Sequence, residues 1–218
     1  MNFTMALLSL VISMAALGAS FFTLWVVHVR RGDLKMTQPT MLFLGRDQGP
    51  PTPKVWLRTL LFSTSAKGQI IENMFLRVHA PAGRSYAFDF WAYSEKEKIS
   101  RGSGLFVGQS GVVCDNHFML RREITDFEYS AGDYRAEVFA SVLGKPQPKR
   151  LMQVKFTLDK QQAEKMDRLT DAGIFFDWNP ETSSYMGHLE SRTQKTLEVW
   201  ERFGQNLPQF EREVLKRS

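Results

Sequence analysis

The chain has one cysteine, Cys114, in 218 residues, so no disulfide can form within it, in keeping with a reducing compartment. It also lacks charge at its start. Between Phe3 and Val29 there is no Asp, Glu, Lys or Arg, which removes any basis for a proton relay or an ion path in that stretch. Two further absences concern chemistry. Arg101-Gly102-Ser103-Gly104 and Gly108-Gln109-Ser110-Gly111 are glycine-dense, but a phosphate loop needs its lysine and strand-to-helix setting. A serine elbow needs glycine where Val112 stands, so hairpin turns account for these glycines.

What the first stretch does have is length. At about 1.5 Å per residue the apolar run exceeds the ~20 residues needed to cross a hydrocarbon core of ~30 Å. A signal peptide would carry Lys or Arg ahead of a shorter apolar segment, whereas Met-Asn-Phe-Thr precedes this one and it continues through Trp25, Val26 and Val27. The run is therefore expected to be an uncleaved transmembrane anchor over 1–29, in contact with membrane lipid. The flanking positive charge, Arg30, Arg31 and Lys35, lies entirely on its C-terminal side, which places the rest of the chain in the cytoplasm. Trp25 and His28 suit the interface on that side. Ser9, Ser13, Ala16 and Ser20 recur at helical spacing along one face, a stripe of small residues that suits helix packing and self-association.

The formal net charge of +5 belongs wholly to the part outside the span. Such a domain is drawn to an anionic leaflet. Nucleic acid is disfavoured as a partner, because basic residues alternate with acids, as in Glu95-Lys96-Glu97-Lys98, and no binding motif accompanies them. A juxtamembrane linker occupies 30–38 and, fully extended, reaches only about 30 Å, so partners should be proteins at the membrane. From Pro39 the pattern turns to strands: Met41–Leu44, Lys54–Ser63, Gln69–His79, Ser85–Tyr93, Gly104–Val107, Val112–Leu120, Tyr134–Leu143 and Arg150–Leu158. Met74, Leu76 and Val78 alternate with polar neighbours, as do Tyr86, Phe88 and Phe90. Short strands without intervening helices predict a mostly β fold, an antiparallel sandwich over 39–189.

Ser130-Ala131-Gly132-Asp133-Tyr134-Arg135-Ala136-Glu137-Val138 resembles the corner and penultimate strand of immunoglobulin-like domains. The resemblance is one of fold, over roughly a hundred residues. It implies that Tyr134 bonds back to the preceding corner and that Leu151–Leu158 is the closing strand. The paired cysteines of antibody-type domains are missing.

Beyond the sandwich, Asp159 and Gln162 can cap a short helix ended by Gly173, and Ile174–Trp178 with Ser184–Leu189 read as a hairpin around Asn179-Pro180. The tail over 190–218 is expected to form C-terminal helices. Trp56, Trp91 and Trp178 are candidates for core or groove. Cys114-Asp115-Asn116-His117 gathers a thiol, carboxylate, amide and imidazole, but neighbours in a strand or turn seldom meet catalytic geometry. As a metal half-site the group would need two further ligands, with only His28, His79, His188 or scattered acids to supply them. No cofactor, metal or catalytic residue is therefore assigned. The reading that follows is a membrane-anchored, non-enzymatic protein-binding module. Its rivals are a membrane-bound hydrolase around Cys114 and His117, and an envelope-side adhesion or assembly module if the topology is reversed. Protease applied to right-side-out spheroplasts should leave a C-terminal tag intact; digestion of the tag would reverse the orientation.

Overall fold

Strand parity builds the head of this molecule. Val55, Leu57, Thr59, Leu61 and Ser63 are buried at every second position, and Leu76, Val78, Tyr134, Ala136 and Val138 repeat the pattern on other strands. One side of each strand therefore faces a shared apolar interior. A computed structural model describes residues 3–29, 32–46, 52–95, 98–100, 104–168 and 172–191. Arg30, Arg31 and the expected C-terminal helices over 192–218 lie outside the described residues.

Helix α1, Phe3–Leu24, continues into a π-helical turn at Trp25–Val29, and none of its side chains is buried. Phe3–Val27 is long and apolar enough to cross a bilayer, a length and composition shared by membrane spans and signal sequences. The strands follow as β1 Leu34–Met36, β2 Met41–Arg46, β3 Pro53–Ser63, β4 Gln69–His79, β5 Ser85–Glu95, β6 Lys98–Ser100 and β7 Leu105–Val107. Then come β8 Val112–Leu120, β9 Gly132–Val142, β10 Lys149–Leu158, α2 Lys160–Arg168, β11 Ala172–Asn179 and β12 Ser184–Ser191.

The expected mostly β, antiparallel fold is present. The twelve strands of the described residues belong to one hydrogen-bonded sheet in the order β10-β9-β4-β5-β8-β3-β2-β11-β12, with β1 added to β3, β6 to β5 and β7 to β4. The sheet curls until β10 lies alongside β12 and β1, a sandwich- or barrel-like arrangement around a single core. Three local differences have clear causes. Leu34–Met36, expected within the linker, pairs with Ser63–Leu61 because Leu34 and Met36 bury their side chains. Gly173 does not end α2; it lies in β11, where the Phe43 ring crosses it so closely that any Cβ would collide. Glu190 and Ser191 extend β12 rather than opening a helix.

The α2 cap matches its sequence signature, since the Gln162 N–H donates to Asp159 Oδ1 at 2.7 Å and the Asp159 N–H to Gln162 Oε1 at 3.0 Å. Tyr134, 1% exposed, stacks on Phe156, and its hydroxyl donates to the Ser130 carbonyl at 2.8 Å while accepting the Ser130 N–H at 2.9 Å. The long segment between β8 and β9 is held by rings set edge to face, with Phe127 against Tyr86, Phe88 and Tyr129. The Tyr129 hydroxyl donates to the Gly45 carbonyl at 2.7 Å.

Antiparallel register gives the head two ends. Ser63, Gln69, Val112, Val142 and Lys149 mark the one that receives β1, hereafter proximal; Pro53, His79, Leu120, Gly132 and Leu158 mark the distal one. The ends are separated by β4, which at ~3.3 Å per residue spans roughly 33 Å. Replacing Tyr134 by Phe strands both Ser130 backbone groups. It should cost about 1–3 kcal/mol, read as a lower urea midpoint of the full chain in detergent with unchanged slope.

Candidate functional site

The tether comes first, because it decides where any site can work. The Gly32 carbonyl accepts from Gln69 Nε2 at 2.7 Å, and the Asp33 N–H donates to Thr64 Oγ1 at 2.7 Å. Lys149 Nζ bonds Asp33 Oδ1 at 2.9 Å and the Leu34 carbonyl at 3.3 Å. That hydrogen bond, with the Lys149 charge and then those of Lys145 and Lys35, holds the Asp33 carboxyl below the ordinary range. With Gly32 already docked, only Arg30 and Arg31 separate it from Val29, the last residue of the helical segment. At 3.8 Å per step, Val29 to Gly32 spans at most about 11 Å.

Among the membrane-flank residues, Lys35 is exposed on β1 and Trp25 is exposed, 6.4 Å from Phe22 between ring centres. The hydroxyls of the stripe bond within α1: Ser9 to Ala6, Ser13 to Ser9 and Ser20 to Ala16, all at 2.8–2.9 Å. With Ala16 they leave a smooth face that needs no partner to satisfy it.

The group Cys114-Asp115-Asn116-His117 is divided by strand parity. Cys114 and Asn116 face the core at 2% and 0% exposure, where Asn116 Nδ2 donates to Thr59 Oγ1 at 3.1 Å and the thiol to Asn116 Oδ1 at 3.5 Å. Asp115 and His117 point to the other side of β8, Asp115 toward Arg58 at 3.7 Å and His117 between Trp56 and Trp91. A base on one face of a strand cannot reach a thiol on the other. Trp56 and Trp91 thus stand on the outer face, half-buried, in a row that runs on through Phe175 to His188, while Trp178 packs against Tyr185.

A second polar cluster lies on the outer face of β4, β9 and β10. Glu137, 6% exposed, receives Arg150 Nη1 at 2.9 Å and stands 3.1 Å from His79 Nε2, whose Nδ1 lies 2.7 Å from Ser85 Oγ. Arg135 approaches the same carboxylate at 4.0 Å. The spatial order Ser85, His79, Glu137 suggests a hydrolytic relay, but the arginines compete for the carboxylate that would orient the imidazole. The cluster pins three strands in register. Burial pushes the Glu137 pKa up, yet the hydrogen bonds from His79 and Arg150 outweigh it, leaving the group below its ordinary value.

At the distal end a cleft of about 450 Å³ opens between β2, β3 and the segment after β8. Arg46, Arg121 and Arg122 line it over a floor of Leu120, Ile124 and Phe127. Arg121 is engaged by Asp89 through two bonds of 2.8 and 3.0 Å. Arg46 is different. Its guanidinium lies 5.4 Å over the Tyr129 ring, and its Nε is buried with no acceptor among the described residues. A carboxylate entering there would meet an Arg46 guanidinium held by an aromatic ring, with Arg122 beside it. The arrangement is fit for anion recognition. Arg121 and Arg122 are visible as a basic pair closing a strand, but Arg46 joins them only because β3 lies between β2 and β8.

No family model and no curated protein matches this chain. Among solved structures it is similar to the CooA pilin subunit from enterotoxigenic Escherichia coli, at 8% identity over 58% of this chain and 98% of that one, TM-score 0.30. A family 123 glycoside hydrolase from Clostridium perfringens gives 5% identity over 59% of this chain and 27% of that one, TM-score 0.31. At those scores neither likeness supports an inference about activity.

Because the Glu137 carboxyl titrates lower in the folded chain than in the unfolded one, its stabilisation is complete above pH 4.5 and fades as pH falls through the folded value. Glu137→Gln should therefore lower the midpoint most near neutral pH and converge with wild type in acid, in denaturation curves of the full chain from pH 7 to pH 3.

Proposed function

We propose that this protein is a single-span, non-enzymatic membrane protein whose head binds an acidic segment of a protein partner on the cytoplasmic side of the bilayer. The distal cleft carries this reading: a buried Arg46 Nε with no acceptor among the described residues, Arg122 beside the Asp89-paired Arg121, and an apolar floor, roughly 33 Å from the tethered end. An acidic peptide supplies both carboxylate and apolar contacts, which a free inorganic anion does not. The cytoplasmic assignment draws its support from Arg30, Arg31 and Lys35 following the span.

The head in this reading is an immunoglobulin-like module, supported by the Tyr134 hydroxyl bonded to the Ser130 corner. The non-enzymatic character is supported by the separation of Cys114 from His117 and by the arginines that occupy Glu137. The stripe Ser9, Ser13, Ala16 and Ser20 offers a second copy a close approach in the membrane, so the complex with the partner is expected to contain self-associated chains. Crosslinking in native membranes should yield a stable protein partner. Reversing charge with Arg46→Glu and Arg122→Glu should cut the partner's yield at least tenfold while membrane retention stays unchanged. A solitary monomer in the wild type, or partner yield untouched by the reversal, would refute the proposal.

A further inference from the structure

Five large apolar side chains of the described head are well exposed, and four of them, Ile70, Phe106, Val113 and Leu143, lie at the proximal end. Ile70 and Phe106 are register partners on β4 and β7, at 39% and 60% exposure. Leu143, 56% exposed, donates its N–H to the Ile70 carbonyl at 2.9 Å, so the three form a strip across adjacent strands. The Phe106 ring reaches the rim by lying over Gly68, whose φ of +67° suits glycine and where a Cβ would come within 2.5 Å of Phe106 Cζ. Lysines surround this strip. Lys67 is exposed on the β3–β4 turn, Lys145 sits in the turn after Leu143, and Lys35 is exposed on β1. Of the acids at this end whose side chains are described, Asp33 is paired with Lys149, and Glu72 is exposed on β4.

The occupant of this surface follows from the tether. A headgroup layer is about 5–8 Å thick, and the ~11 Å reach from Val29 to Gly32 holds the proximal end within a few ångströms of its outer surface at most. We propose that Leu143, Ile70 and Phe106 rest in the interfacial layer of an anionic bilayer, with Lys35, Lys67 and Lys145 on lipid phosphates. The proposal rests on α1 being a membrane span. Apolar side chains partition among the headgroups and acyl boundary, while lysines beside an anionic surface add to the attraction. Docking through this end keeps the distal cleft turned away from lipid and open to a partner.

The test uses the full chain in nanodiscs of phosphatidylcholine with phosphatidylglycerol. Single spin labels are placed at Phe106→Cys, Leu143→Cys and, at the other end, Arg84→Cys; the unsubstituted chain, its Cys114 buried, serves as the blank. Power saturation with oxygen and a water-soluble nickel chelate reads depth. Labels at 106 and 143 should favour oxygen and the label at 84 the chelate, and removing the anionic lipid should move 143 toward water. Equal chelate access at 106 and 84, in a chain that stays in the membrane through alkaline carbonate, would overturn the proposal and spare the anchor. Loss of the chain to the carbonate supernatant would overturn both. Dipolar broadening between labels on two copies, without a depth signal, would assign the strip to a protein interface and likewise overturn it.

Discussion

The pairing of Leu34–Met36 with the end of β3 is the constraint on which the architecture turns. A linker of nine residues left free would let a head wander some 30 Å from its helix. Burying Leu34 and Met36, bonding Gly32 to Gln69 and clamping Asp33 with Lys149 removes most of that freedom. What remains is a connection of two arginines, too short for the head to be independent of whatever surrounds the helix.

Once the proximal end is held, antiparallel register sorts the remaining side chains by distance from the helix. The proximal turns collect apolar side chains and lysines. The distal end collects arginines over an apolar floor, and between the ends the outer face carries ion pairs and half-buried rings. Residues far apart in the chain thereby acquire a common environment: Arg46 stands with Arg122, and His79 with Glu137 and Arg150. The same sorting dissolves the one group that looked chemical in the sequence. Cys114 and His117 are three apart on a strand, which turns them to opposite faces; the thiol joins Asn116 and Thr59 inside, and the imidazole joins the tryptophans outside.

Much of the fold could be read from local pattern. The limits of β4 and β8, the Asp159–Gln162 cap and the β11–β12 hairpin all depend on alternation, capping chemistry or turn residues within a few positions of each other. The differences arise where a distant neighbour decides. β1 is three residues long and becomes a strand only because β3 offers it a partner, and Gly173 serves a strand because the Phe43 ring needs the room.

By itself the sequence determined that a long uncharged helix precedes a β-rich, antiparallel head and that no disulfide operates within the chain, because run length, alternation and composition act locally. Only the tertiary structure decided that one curled sheet carries the twelve described strands, that the linker is strapped to it and that three arginines from two separate segments share a cleft. Those outcomes depend on which strands become neighbours, and strand pairing is settled by burying the whole apolar face at once rather than by any single segment.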